Sequence, residues 1–242
     1  MELNKIYNES CLDTMKDLPD KCIDLVVTSP PYNMNLRVMK GKYTSRQVIK
    51  KEFSTKYEEF SDNLPLDEFY NLHSSILREL LRVSKVVFYN IQIVTGSKRA
   101  FFKLIGEFSD NLKEIIVWDK VNSQPAMQSG VLNRQSELIL VFEDEENSIK
   151  RQFNTVNFER GTLNDVWQIK RGKKYDKKHG ATFPEELVEK IIVNFSNKGE
   201  LIYDPFMGSG TTAVVAKRLE RNFLGSEISK KYVISSNERL SL

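Results

Sequence analysis

The sequence predicts an α/β fold built on a doubly wound, mostly parallel sheet interrupted by polar inserted segments. Three observations carry this. Short apolar runs of strand length alternate with stretches of helical spacing towards both ends of the chain. The run Ile23-Asp24-Leu25-Val26-Val27 ends abruptly in Thr28-Ser29-Pro30-Pro31-Tyr32-Asn33. The run Leu201-Ile202-Tyr203 feeds an aspartate and a two-glycine turn before the next helical stretch.

Residues 23–27 read as a buried strand of a parallel sheet, because the run is short, apolar and closed by prolines. Residues 34–64 are polar with scattered aromatics and are expected to form a mobile loop insertion. From residue 65 a helix runs through 81, with Phe69, Leu72, Ile76, Leu77, Leu80 and Leu81 at helical spacing. Strand 86–89, helix 97–108 and strands 114–118 and 136–142 follow. Residues 143–181 turn polar, and only 166–169 has ordered character. Helix 183–195 begins with Pro184 and two glutamates, as the helix dipole favours. Strand 201–203, helix 213–219, strand 222–225 and helix 229–240 complete one domain over 1–242.

The gross composition is that of an ordinary globular domain: 242 residues, 40% hydrophobic and 29% charged. No apolar run approaches the roughly 18–20 residues of a membrane span. The start, MELNKIYNES, has no signal-peptide pattern, so a cytoplasmic location is expected. Two cysteines and two histidines, without ligand spacing, argue against a disulfide framework and a structural metal. A net charge of +3 does not by itself demand a polyanionic partner. Its distribution is more telling: 143–146 reads EDEE, whereas 170–178 (KRGKKYDKK) holds six Lys/Arg against one Asp. A solvated loop and a phosphate-contacting loop both fit that run.

The stretch 201–219, LIYDPFMGSGTTAVVAKRL, sets strand, acid, glycine turn and helix in order. Gly208 and Gly210 let the backbone turn tightly and approach a ligand at a helix N-terminus. It is not a phosphate-binding P-loop, since no Lys-Ser/Thr follows the second glycine, and Ala213 stands at the third glycine of the dinucleotide pattern. A nucleoside or amino-acid cofactor without a pyrophosphate remains. Glu227 ends the next predicted strand, where a carboxylate can take both ribose hydroxyls at Rossmann-like spacing. A plain helix-entry turn with a solvated Glu227 is the competing reading.

Asp204-Pro205-Phe206-Met207-Gly208-Ser209-Gly210-Thr211-Thr212, together with Thr28-Ser29-Pro30-Pro31-Tyr32, resembles the S-adenosylmethionine-dependent DNA amino-methyltransferases, which modify cytosine N4 or adenine N6. The motif order, Pro-Pro-Tyr early and glycine loop late, resembles their β subclass. The similarity spans most of the chain, including 130–142 with Glu137, 179–187 with Phe183 beside the cofactor's methionine end, and 225–240. It implies the Rossmann-like methyltransferase sheet, S-adenosylmethionine bound by the 204–212 loop, Phe183 and Glu227, and double-stranded DNA as partner in a restriction–modification type of setting. Dimers are common in the subclass, so a homodimer is an expectation carried over from it. One departure is Ser10-Cys11, where the family often has an Asp before the Cys.

An exocyclic amine is a poor nucleophile because its lone pair is delocalised into the ring. Acceptors on its N–H bonds localise that pair towards a methyl donor, and Ser29 Oγ and the Pro30 carbonyl are the acceptors on offer. Pro30 and Pro31 stiffen the loop and remove N–H donors. Tyr32 offers a face for a base taken out of the stack. Cys11 and Cys22 are read as core thiols. In the resembling family Asp at position 29 is typical of adenine enzymes and Ser more often accompanies cytosine enzymes, so Ser29 leans towards cytosine N4.

Asn33 either lines this pocket or caps the turn. Trp118, Asp119 and Lys120 either face the cleft or end a half-buried strand. Residues 143–178 are the candidate DNA target-recognition segment, with Arg151, Arg160, Lys170, Arg171 and Lys173 interleaved with aromatics. Two other functions stay open on sequence alone: methylation of an amine in RNA or protein, and an inactive subunit that only recognises DNA.

Overall fold

The computed structural model describes residues 2–34, 36–39, 42–45, 62–122, 129–172 and 183–241. Eight strands form one sheet in the order β1-β10-β9-β2-β5-β7-β6-β8. They are β1 (Lys5–Tyr7), β2 (Ile23–Thr28), β5 (Ser84–Ile91), β6 (Leu112–Asp119), β7 (Ser136–Glu143), β8 (Val166–Gln168), β9 (Leu201–Asp204) and β10 (Asn222–Ser226). A separate antiparallel pair, β3 (Leu36–Met39) and β4 (Lys42–Ser45), stands outside it. All neighbouring pairs of the large sheet are parallel except those of β7, which runs against both β5 and β6.

Side chains alternate between two cores, as the pleat requires. In β5, Val86 and Phe88 enter one core while Val87, Tyr89 and Ile91 enter the other; in β7, Ile139 and Val141 oppose Leu140 and Phe142. The first face is covered by α5 (Glu185–Phe195) and α6 (Thr211–Arg218), the second by α1 (Cys11–Lys16), α2 (Leu66–Val83) and α3 (Lys98–Glu107). Helix α2 buries Phe69, His73, Ile76, Leu77 and Leu80 along one stripe. Two further α-helices, α4 (Glu145–Ser148) and α7 (Lys230–Ser241), and a short 3-10 helix, Ser109–Asn111, complete the helical elements among the described residues.

The predicted helices and strands are present with ends moved by at most two residues. β1 and α1 were not anticipated, because three strand residues and six helix residues are too short for periodicity to register. Ser10 accepts a hydrogen bond from Leu12 N and so starts α1. Residues 46–61 of the expected mobile loop lie outside the described residues. The candidate recognition segment is not wholly an insertion, since it contributes β8 to the sheet edge, where Trp167 is fully buried.

This topology positions the site. The chain moves from β2 to β5 on one side and returns through β9 and β10 on the other, so a crevice opens beyond the carboxyl ends of β2 and β9. Because β7 is reversed, its first residues reach that same edge.

Candidate active site

Thr28 is the last residue of β2, and the chain leaves it through Ser29 and the two prolines. Asp204 is the last residue of the adjacent β9. Its buried carboxylate ties the two strand ends together, accepting from Thr28 Oγ1 at 2.7 Å, Phe206 N at 3.0 Å and Thr212 Oγ1 at 2.7 Å. Beyond it, Gly208 (φ 52°) and Gly210 (φ 78°) take left-handed conformations that open the start of α6.

Helix α7 holds this loop from behind. Ser236 Oγ donates to Gly208 O at 2.7 Å, and Arg239 Nη1 donates to Ser209 O and Thr211 Oγ1, each at 3.0 Å. Glu227 follows β10 and is oriented by the backbone: Gly208 N donates to its Oε2 and Ser229 N to its Oε1, both at 2.8 Å.

One cavity of about 540 Å3 runs from this loop to the Pro-Pro-Tyr segment. Its cofactor end is lined by Asp204, Pro205, Phe206, Gly208, Ser209, Thr211, Thr212, Phe183 and Glu227, its far end by Ser29, Pro31 and Tyr32. That volume suits a small organic ligand. An aromatic wall, a backbone-oriented carboxylate for hydroxyls and a buried carboxylate for positive charge together fit a nucleoside cofactor with a cationic centre. Ser10 and Cys11, at the position where the motif departs from the resembling family, also line the cavity. Burial pushes the Cys11 thiol up to about 12, so it stays protonated and supplies no nucleophile.

The far end holds a network that the sequence did not announce. Ser29 Oγ lies 2.6 Å from Tyr32 Oη, and Tyr32 Oη donates to Glu137 Oε2 at 3.2 Å. Asn90 Nδ2 donates to Tyr32 Oη at 2.6 Å and to Glu137 Oε2 at 2.8 Å. Lys120 Nζ pairs with Glu137 Oε1 at 3.0 Å, and the lysine side chain is only 1% exposed. Trp118 also faces the cavity, its Nε1 donating to Ile169 O at 2.7 Å. Of the strand-end trio, Trp118 and Lys120 thus reach the cleft. The Asp119 carboxylate instead accepts from Val121 N, Gln135 and Gln168.

Several expectations need correction. Asn33 does not line the cavity. It is fully buried at φ 57°, its Nδ2 donating to Leu64 O at 2.9 Å and Gly96 O at 3.0 Å, and so it pins the turn. Gly210 packs against Ser236 and, like Pro30, is absent from the cavity wall. Arg151 and Arg160 are exposed but lie at the other edge of the sheet. Arg151 follows α4, beyond the end of reversed β7, and the loop with Arg160 is anchored through Asn157 to the last turn of α5. Lys170 and Arg171 follow β8 at the cavity edge, and Arg171 lines it. Lys173 lies outside the described residues.

Comparison with known proteins agrees with this geometry. The family model for DNA methylases of the N6/N4 type matches residues 23–238. The chain belongs to this DNA methylase family. The methylase is an S-adenosylmethionine-dependent DNA amino-methyltransferase. It is 28% identical to the type II methyltransferase M.BglII of Bacillus subtilis over 274 residues, covering 99% of this chain and 69% of that protein. It is 26% identical to M.HinfI of Haemophilus influenzae over 256 residues, covering 98% and 68%. Among solved structures, the PvuII DNA methyltransferase superposes with a TM-score of 0.73 at 20% identity, covering 97% of this chain and 85% of that one. The M1.HpyAVI–SAM complex superposes at 0.67 and 21% identity, covering 98% and 99%. At these identities the superpositions speak for the fold. Among the described residues of the methylase, no helix is long and apolar enough to cross a membrane and no cluster suits a metal ion.

Burial raises the Asp204 carboxyl to about 6, against the opposing hydrogen bonds from Thr212, Thr28 and Phe206 N. The folded protein therefore holds this proton more tightly than the unfolded chain does. The resulting stability is fully present below the reference value of 3.8 and is lost as pH rises through about 6. Asp204→Asn is expected to remove this component, worth roughly 2 kcal/mol between pH 4 and 7. The buried His73, lowered to about 3 by desolvation, acts in the opposite sense and is common to both proteins. The check is the difference between wild-type and variant unfolding free energies at the two pH values; a difference independent of pH contradicts the assignment.

Proposed function

We propose that the methylase acts on a base extruded from double-stranded DNA, with cytosine N4 as the favoured acceptor and adenine N6 as the rival. The observation that carries this reading is the single cavity joining the glycine loop and Glu227 to Ser29 and Tyr32. It brings a cofactor end and an amine-accepting end into one continuous cleft, which is what transfer without a covalent enzyme intermediate requires.

In this reading Asp204, the 206–212 loop, Phe183 and Glu227 hold S-adenosylmethionine, which supplies an electrophilic methyl group on a sulfonium. Ser29 Oγ accepts an N–H bond of the amine, and the Tyr32 ring borders the base. Lys170 and Arg171, exposed at the cavity edge, contact phosphates, whereas Arg151 and Arg160 are too far round the sheet to share that task. The lean towards cytosine rests on Ser29, and the description of the PvuII enzyme as cytosine-N4-specific supports it. A homodimer is proposed as well, and sedimentation giving a monomer mass overturns it.

The deciding experiment transfers radiolabelled methyl to unmodified duplex DNA and identifies the product nucleoside by mass spectrometry. N4-methylcytosine is expected. N6-methyladenine overturns the base assignment and leaves the rest. Label in RNA or protein but none in DNA overturns the substrate, and cofactor binding with no transfer indicates a recognition subunit.

A further inference from the structure

We propose that Glu137 is the terminal proton acceptor of the transfer reaction, reached from the amine through Ser29 and Tyr32. The inference rests on the amine-methylating function proposed above and extends it to the fate of the proton.

The hydrogen bonds have one consistent polarity. The Tyr32 hydroxyl has a single proton, and it points to Glu137 Oε2 at 3.2 Å. Either hydroxyl can donate across the 2.6 Å contact between Ser29 Oγ and Tyr32 Oη, and with the tyrosine proton on Glu137 the serine is the donor. That leaves the Ser29 oxygen to accept from the amine. Asn90 enforces the same order. Its Nδ2 faces both Tyr32 Oη and Glu137 Oε2, and turning the amide over would set its carbonyl oxygen against the carboxylate. Lys120 completes the arrangement by pairing with the other carboxylate oxygen at 3.0 Å.

The chain Ser29–Tyr32–Glu137 thus runs from the reacting nitrogen to an anion. When the N–CH3 bond forms and the C–S bond breaks, the sulfonium charge is discharged into a neutral thioether, and the nitrogen must lose one proton. That proton passes to Ser29 Oγ, the serine proton to Tyr32 Oη, and the tyrosine proton to Glu137 Oε2. The products are a neutral methylated amine, a neutral thioether and a neutral carboxylic acid. Glu137, 11% exposed, then returns the proton to water through the cavity. In this scheme Ser29 and the Tyr32 ring touch substrate, whereas Glu137, Asn90 and Lys120 act through them.

The test uses the whole protein with duplex DNA, comparing single-turnover methyl transfer at saturating cofactor with calorimetric cofactor binding. Glu137→Gln keeps the shape and should slow transfer about 100-fold or more while leaving cofactor affinity unchanged. Glu137→Asp should recover part of the loss. Tyr32→Phe keeps the ring, breaks the chain and should match Glu137→Gln. Wild-type rates in either variant overturn the route, as does a Glu137→Asp variant no faster than Glu137→Gln. A wild type that binds cofactor but methylates no DNA overturns the functional reading and the route with it.

Discussion

Gly210→Val is expected to abolish measurable cofactor binding and to destabilise the protein by about 2–5 kcal/mol. Two costs coincide at this position. The backbone sits at φ 78°, where an L residue is strained and a β-branched one more so. A Cβ there would also lie 2.8 Å from Ser236 Cβ and 3.2 Å from its Cα, neither of which is the free end of a flexible side chain. Relief requires α7 to move. But α7 is what holds the loop, through Ser236 to Gly208 O and Arg239 to Ser209 O. Moving it releases Gly208, whose N–H orients Glu227. The cofactor pocket should therefore fail along with the packing. Gly210→Ala meets the same first contact without the branch and should fall between Val and wild type. Thermal unfolding with and without cofactor, together with calorimetry, measures both effects; a Gly210→Val protein with native Tm and native affinity would show that α7 does not brace the loop.

That bracing was not legible in the sequence, although the loop itself was. The strand-acid-glycine-helix order and the Pro-Pro-Tyr turn are local patterns, and each folds much as its residues dictate. What the local patterns lack is the partner across the sheet. Asn90 ends an apolar strand and carries no signal of its own. Glu137 reads as the polar start of a buried strand. Lys120 was weighed equally as a cleft residue and a strand end. The reversal of β7 brings Glu137 against Lys120 and Tyr32, and strand direction is a property of the β6–β7 hairpin rather than of either strand's composition.

The same blindness to direction explains the basic residues. Arg151 and Lys170 belong to one polar stretch, and only the folded path shows that it starts at one edge of the sheet and ends at the other. Asn33, which the sequence leaves open between pocket and turn, goes to the turn for a different reason. Its neighbours in sequence form the site, but its own side chain faces Leu64 and Gly96, which sequence distance hides.

Lys120→Met should cost about 3–5 kcal/mol of stability, because it strands an anion in a nearly closed site. The lysine side chain is 1% exposed and Glu137 11%, so water cannot replace the lost ammonium at full strength. Glu137 would be left with the Tyr32 hydroxyl and the Asn90 amide, both neutral donors. In Lys120→Met/Glu137→Gln neither charge remains, and the Gln carbonyl can still accept from Asn90. The double variant should therefore recover most of the loss, giving a strongly non-additive cycle in denaturant unfolding. Additive losses would mean that the two charges do not depend on one another. Stability and chemistry then separate cleanly. The double variant, though folded, lacks the base and should remain as slow in methyl transfer as Glu137→Gln. If recovered stability brought back the wild-type rate, Glu137 would be a packing element and the proton would leave the amine by another path.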